Sequence, residues 1–316
     1  MSGFAYVVNK GKAEEVGIKQ ALGRPGSLVW IHLTTNDERA TAWLSGEAKL
    51  SPYIVDALTA AETRPRCDPV GKGAVINLRG MSSEEMSVSD QLASIRMYAM
   101  DGRVVSVTRK LLNALKPVRD QVEAGDILDP GDLIAAIAEE ITEELDPVVA
   151  DLGDTLDDCE GQIAAHQAFE LRRQVNRTRT TAIAYRRFLA PQRSALEKLA
   201  ALPGDWLRDD DRLHLNSAAD RAARMAEELE AIRERAALTH ETLTDLRAEL
   251  IDQRSLIIAI AAMVFLPLTF ITGLLGMNVD GIPYAHEPWA FDAVFWLCVA
   301  IAVGVTAYFV RRHWFR

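Results

Sequence analysis

Residues 255–278 read SLIIAIAAMVFLPLTFITGLLGMN. The 23 residues from Ser255 to Met277 carry no charge. Wound as a helix they would extend roughly 35 Å, enough to cross the hydrocarbon core of a bilayer. A second apolar run, AVFWLCVAIAVGVTAYFV, fills residues 293–310. Its helix would reach roughly 27 Å, short but sufficient when interfacial residues anchor it. Trp289, Trp296, Tyr308 and Trp314 supply such anchors at or near its ends. Buried core helices are the soluble alternative, but two runs so close together have too little chain beside them to be covered. Two transmembrane helices are therefore predicted, at 255–277 and 289–310.

Charge orients them. The tail Arg311-Arg312-His313-Trp314-Phe315-Arg316 is basic, whereas 278–292 has no Lys or Arg and carries Asp280, Glu287 and Asp292. The positive-inside rule places the 311–316 tail in the cytoplasm, with Arg254 ahead of the first span. Residues 278–288 then form a short external loop. The N-terminus, MSGFAYVVNKGKAEE, has no apolar h-region, so no signal peptide is expected and both termini are placed inside.

No Pro or Gly interrupts 205–266, so 205–254 reads as a long stalk helix entering the first span directly. Met225, Leu229, Ile232, Ala236, Thr239, Leu243, Leu246 and Leu250 alternate spacings of 4 and 3, the seam of a helix packed against copies or neighbours. A helix from 211 to 276 would be roughly 100 Å long, too long to stand alone, and implies an oligomer around an axis. Residues 1–120 read as an α+β domain. Strand-like runs fall at 27–33, 74–78, 93–99 and 103–107, the last two joined by an Asp101-Gly102 hairpin turn. Helical segments fall around 37–47 and 51–61. In the intervening 121–204 region the charges segregate. Residues 123–160 hold 14 acids and no Lys or Arg; residues 172–198 hold eight basic residues and one acid, Glu197. This reads as an acidic helix hairpinned against a basic one; the alternatives are a solvated or intersubunit face, or a brush that concentrates cations.

The balance of 45 acidic to 35 basic residues, net −10, argues against a nucleic-acid partner and suits cations. Cys67, Cys159 and Cys298 are far apart, so neither a disulfide framework nor a closed structural metal site is expected. No GxSxG, P-loop, HExxH or GxGxxG pattern appears, so neither enzyme activity nor a cofactor is expected.

The first span ends in Gly276-Met277-Asn278, after a Phe265–Phe270 FLPLTF run and before a short loop, a second span and a basic tail. In this order the sequence resembles the CorA metal-ion transporter family. Ser27–Leu33 (SLVWIHL), Arg64-Pro-Arg66 with Asp68, and Val104–Arg109 (VVSVTR) are similar to that family's cytosolic domain. Magnesium-transporting members usually continue past the Asn with an aromatic, an acid and Met-Pro-Glu; the run VDGIP at 279–283 is similar instead to the zinc-transporting, ZntB-like branch. The resemblance implies a funnel-shaped homopentamer in the bacterial inner membrane, its five first spans lining one pore for Zn²⁺ uptake coupled to a proton gradient. A Mg²⁺ or Co²⁺ channel of the same architecture is the alternative. A membrane-anchored sensor or scaffold is less favoured, since an inert anchor needs no such signature.

Physical chemistry fits the implied pore. Five helix C-termini would form a negative ring. Five Asn278 amide oxygens would accept hydrogen bonds from a hydrated ion without a carboxylate's grip, Met277 lying between them and Gly276. Gly273 and Gly276 would permit close helix approach. Asp252, Ser255, Ala259, Ala262, Leu266, Thr269 and Gly273 share one helix face, on which Leu266 could form an apolar constriction. A Thr269 hydroxyl bonded back to its own helix is the plainer alternative. Pro267 frees the Met263 carbonyl. Asp280 and Glu287 would attract cations to the external loop. Asp252 stands where relatives typically carry Asn; five such carboxylates would resist full ionisation together and could couple protons, unless Asp252 is an ordinary interfacial charge.

Overall fold

The computed structural model describes residues 2–34, 38–61, 64–82, 92–163, 168–278, 281–282, 284 and 286–314. The chain divides into two compact units, Met1–Ile163 with Glu170–His240, and Ala164–Phe169 with Glu241–Arg316.

The first unit is built on a seven-stranded sheet in the order β2-β1-β3-β7-β6-β5-β4. Its strands are β1 (Gly3–Asn9), β2 (Lys12–Glu15), β3 (Leu28–Thr34), β4 (Arg66–Val70), β5 (Gly73–Met81), β6 (Leu92–Met100) and β7 (Arg103–Thr108). Only the β3–β7 pair is parallel. These two strands are buried on both faces because helices cover both. On one side α1 (Ile18–Ala21), α2 (Glu38–Gly46) and α3 (Pro52–Thr59) close a core that includes Val29, Ile31, Leu33, Trp43, Leu44, Leu58, Val105 and Val107. Ser51 caps α3 by accepting from the Ile54 N–H. On the other side lie α4 (Leu115–Ala124) and the start of α5 (Pro130–Gly161). There a side chain at Gly80 would meet Ile141, so the sheet and α5 approach closely.

His32 is buried in β3 between the Ser106 hydroxyl, 2.9 Å from Nδ1, and the Thr108 hydroxyl, 3.3 Å from Nε2. Burial pushes its pKa down to about 3, so it is a neutral, hydrogen-bonded core residue. β4 is an edge strand, where Pro69 is tolerated because no ladder donor is needed. β4 pairs with β5 only as far as Asn77. Beyond it, the Arg79 N–H donates to Gln192 Oε1 at 2.8 Å.

Gln192 belongs to α6 (Ala168–Ala200), which with α5 packs on the early part of α7 (Asp209–Leu275). The seam residues Met225, Leu229, Ile232, Ala236, Thr239 and Leu243 are buried, whereas Leu246 and Leu250 are half-buried. The first five of these lie within the first unit, so that part of the seam is covered by the chain's own helices; Gly153 of α5, for instance, lies under Ile232. The charges distribute differently from an acidic helix hairpinned on a basic one. From α5, Glu139 pairs with His214, Glu143 with Arg221, and Asp157 and Glu160 with Arg235, all on α7. From α6, Arg186 pairs with Glu230 of α7 at 2.9 Å. The mixed-charge α7 therefore supplies these partners to both segregated helices.

The second unit contains the last part of α7 and α8 (Ala290–Trp314). α7 is a single helix from Asp209 through Pro267 to Leu275. α8 continues through Arg311-Arg312-His313 to Trp314, so the basic segment is helical as far as Trp314.

Candidate cation pathway

Both α7 and α8 contain stretches long and apolar enough to cross a membrane, and none of either window is buried within the chain. Ile257, Ile258, Phe265, Leu266 and Phe270 are each about two-thirds exposed. Apolar surface on this scale requires lipid or further protein.

Exposure is not uniform around α7. Leu256, Ile260, Val264, Leu268 and Ile271 are half-buried and recur at helical spacing; on α8 so are Val294, Cys298, Ile301, Ala302, Val305 and Phe309. The predicted pore-facing residues Asp252, Ser255, Ala259, Leu266, Thr269 and Gly273 are exposed, and Ala262 is half-buried. At roughly 100° per residue, that face lies about 150° around the helix from the half-buried stripe. The shielded stripe and the pore-facing set thus occupy opposite sides of one helix.

Two hydroxyls near the helix end bond inward. Thr269 Oγ1 donates to the Phe265 carbonyl at 2.7 Å, and Thr272 Oγ1 donates to the Leu268 carbonyl at 2.9 Å. The plainer reading of Thr269 is therefore what its proton does, leaving the oxygen as an outward acceptor. The Gly276 N–H donates to the Thr272 carbonyl at 2.9 Å. Gly276 is not left-handed. Its need for glycine is steric, because a Cβ there would lie 2.9 Å from the Thr272 oxygen. At Gly273 a Cβ would meet nothing within 4 Å, so that surface is open in the isolated chain. Met277 and Asn278 are exposed just past the helix, where its last carbonyls lack intrahelical donors. Beyond them, Glu287 is exposed and its N–H donates to the Tyr284 carbonyl at 3.1 Å. Asp280 lies outside the described residues.

The structure also gathers a group that sequence reasoning did not single out. In the first unit, carboxylate oxygens of Asp129, Asp132 and Asp211 lie within 4.8 Å of one another. Each already serves a helix start. Asp129 accepts from the Gly131 and Asp132 N–H groups and pairs with Arg208 at 2.7 Å. Asp132 accepts from the Leu128 N–H, and Asp211 from the Arg208 N–H. Burial, with Asp129 and Asp132 adding to it, pushes the Asp211 carboxyl up to about 6. The Asp129-Pro130 start signal was the available clue.

Residues 25–312 match the family described as CorA-like Mg²⁺ transporter protein. The chain is 30% identical over 284 residues to the zinc transport protein ZntB of Pectobacterium atrosepticum, covering 90% of this chain and 86% of that one. It is 31% identical over 322 aligned positions to the divalent cation transporter CmaX of Pseudomonas aeruginosa, covering 98% and 96%. The solved structure of full-length CmaX superposes with a TM-score of 0.79 at 30% identity, over 99% of this chain and 98% of that one. With its sheet-based unit, its long helix and its second apolar helix, this chain belongs to the CorA-like Mg²⁺ transporter family.

Proposed function

We propose that the chain is one subunit of a homopentameric divalent-cation transporter of the inner membrane, with both termini cytoplasmic, and that it takes up Zn²⁺. The observation that carries this reading is the face of α7 that bears Asp252, Ser255, Thr269 and small residues around Leu266, opposite its shielded stripe and ending at Gly276 and Asn278. Five such faces around an axis would enclose a path, and the outward faces would meet lipid. Carbonyls at the helix ends and Asn278 amide oxygens would hold a largely hydrated ion, weakly enough for it to leave. Glu287 and Asp280 would raise the local cation concentration. Asp252 would add a carboxylate ring at the inner end, binding a divalent ion when ionised and releasing it when protonated. Two relatives support the cargo by their names, one a zinc transport protein and one a divalent cation transporter; the family description favours Mg²⁺ as the second reading. Purified protein in liposomes, assayed for Zn²⁺, Mg²⁺ and Co²⁺ uptake with and without a pH gradient, tests this. Zn²⁺ flux that the gradient accelerates and that Asn278→Ala abolishes is expected; Mg²⁺ flux without Zn²⁺ flux would select the second reading, and no flux of any ion would refute both.

A further inference from the structure

α5 and α6 both pack on α7 in the first unit, and each turns its opposite face to solvent. On α5, Asp146, Asp151, Asp154 and Asp158 are exposed. At roughly 100° per residue they share an arc of about 140°, opposite the buried Leu145, Val149, Leu156 and Cys159. On α6, Arg173, Arg177, Arg187 and Lys198 are exposed. They share an arc of about 80°, opposite the buried Leu171, Val175, Ala182 and Leu189. The signs are hardly mixed. α5 has no Lys or Arg, and the acids of α6 are Glu170 and Glu197, the latter held by Arg193 at 2.8 Å. α7 draws its own ion-pair partners from other residues, Glu139, Glu143, Asp157 and Glu160 on α5 and Arg186 on α6. The acidic face extends roughly 18 Å along its helix and the basic face roughly 38 Å, so the first fits within the length of the second.

We propose that the acidic face of α5 docks on the basic face of α6 of the next copy of this chain. The proposal rests on the oligomeric reading above and names a contact between its copies. Every copy carries one face of each sign on different helices, so head-to-tail pairing around one axis uses both faces of every copy. Like faces repel, which disfavours α5 against α5 and α6 against α6. Exposed ion pairs are individually weak; the two faces select which surfaces meet, and the apolar spans hold the copies together.

Zero-length carbodiimide cross-linking of the full chain in membranes near pH 7 tests this. The reagent joins a carboxylate to a lysine amine only where the two touch. Lys198 supplies an amine in the wild type, and Arg173→Lys, Arg177→Lys and Arg187→Lys together supply more without changing the charge. A denaturing gel should show a ladder of linked copies. Peptides from its dimer band should join 146–158 to 173–198 through links that the monomer band lacks. Replacing Asp146, Asp151, Asp154 and Asp158 by Asn should lower the ladder at least about fivefold, because it removes both the attraction and the reacting groups. An unchanged ladder in that variant, or α5–α6 links confined to the monomer band, overturns the docking. A pentamer by native mass without such links, in the wild type or the Lys variant, overturns it and leaves the proposed pore standing. A wild type that is monomeric overturns the oligomeric reading as well.

Discussion

Gly276→Ala probes the proposed pore mouth most sharply. The added Cβ would lie 2.9 Å from the Thr272 carbonyl oxygen, where ordinary contact begins at 3.4 Å. That oxygen belongs to the helix backbone and accepts the Gly276 N–H at 2.9 Å, so it cannot rotate aside. The last turn must open. Losing the hydrogen bond costs about 1 kcal/mol, and overpacking adds about 1–3 kcal/mol. Displacement of the helix end by about 2 kcal/mol corresponds to roughly a 30-fold change at a site that depends on that end. Initial Zn²⁺ uptake into liposomes, at matched protein density and orientation, should fall at least tenfold. The first unit contains no part of this turn, so its proteolytic resistance should match the wild type. Uptake within about twofold of the wild type would refute the argument that this turn holds the ion path.

Asp252→Asn should leave assembly intact and flatten the dependence of uptake on pH between roughly 5 and 8, since carboxylates brought close together disfavour full ionisation; an unchanged profile would place Asp252 outside the mechanism. Leu229→Ala should lower stability by about 2–5 kcal/mol in denaturant titration, because Leu229 is fully buried in the seam. Asp211 holds its proton to about pH 6 in the folded chain against 3.8 when exposed, so the folded state binds the extra proton and stability falls as pH rises through that window. Asp211→Asn, which keeps an acceptor for the Arg208 N–H, should therefore stabilise by roughly 1–2 kcal/mol at pH 7, discounted for screening, and little at pH 4; melting midpoints at the two pH values decide it.

Several elements were legible because one physical signal dominated each. The uncharged run as far as Leu275 and the Gly-free stretch from Asp209 onward are helix, residues 205–208 being turn and coil, and the Asp101-Gly102 turn, with Gly102 at φ 67°, joins a hairpin. β1 was not read as a strand because both its faces are covered, so Ala5–Val8 form a continuous apolar run without alternation. β2 is charged except for Ala13 and is held by its pairing with β1. β4 carries Pro69, which argues against a strand until its edge position is known. The seam residues were identifiable, but their partner was not. Spacing alone cannot distinguish a neighbouring copy from the chain's own α5 and α6. The charge segregation was equally visible, while the mixed signs of α7 that satisfy both halves emerge only from the packing. At the proposed pore mouth, Gly276 could be read as a helix-ending residue, but the Thr272 carbonyl that excludes a side chain there is a three-dimensional fact.

Cysteine accessibility along α7 during transport tests the central claim most directly. In a Cys298→Ala background, single cysteines from 255 to 273 would be exposed to a small, water-soluble, charged thiol reagent in liposomes while Zn²⁺ uptake is recorded. The account predicts block at Ser255, Ala259, Ala262, Leu266, Thr269 and Gly273, and none at Leu256, Ile260, Val264 or Leu268, a helical periodicity with its maximum on the pore-facing side. Block concentrated on the second set, or without periodicity, would contradict an ion path lined by this face of the helix.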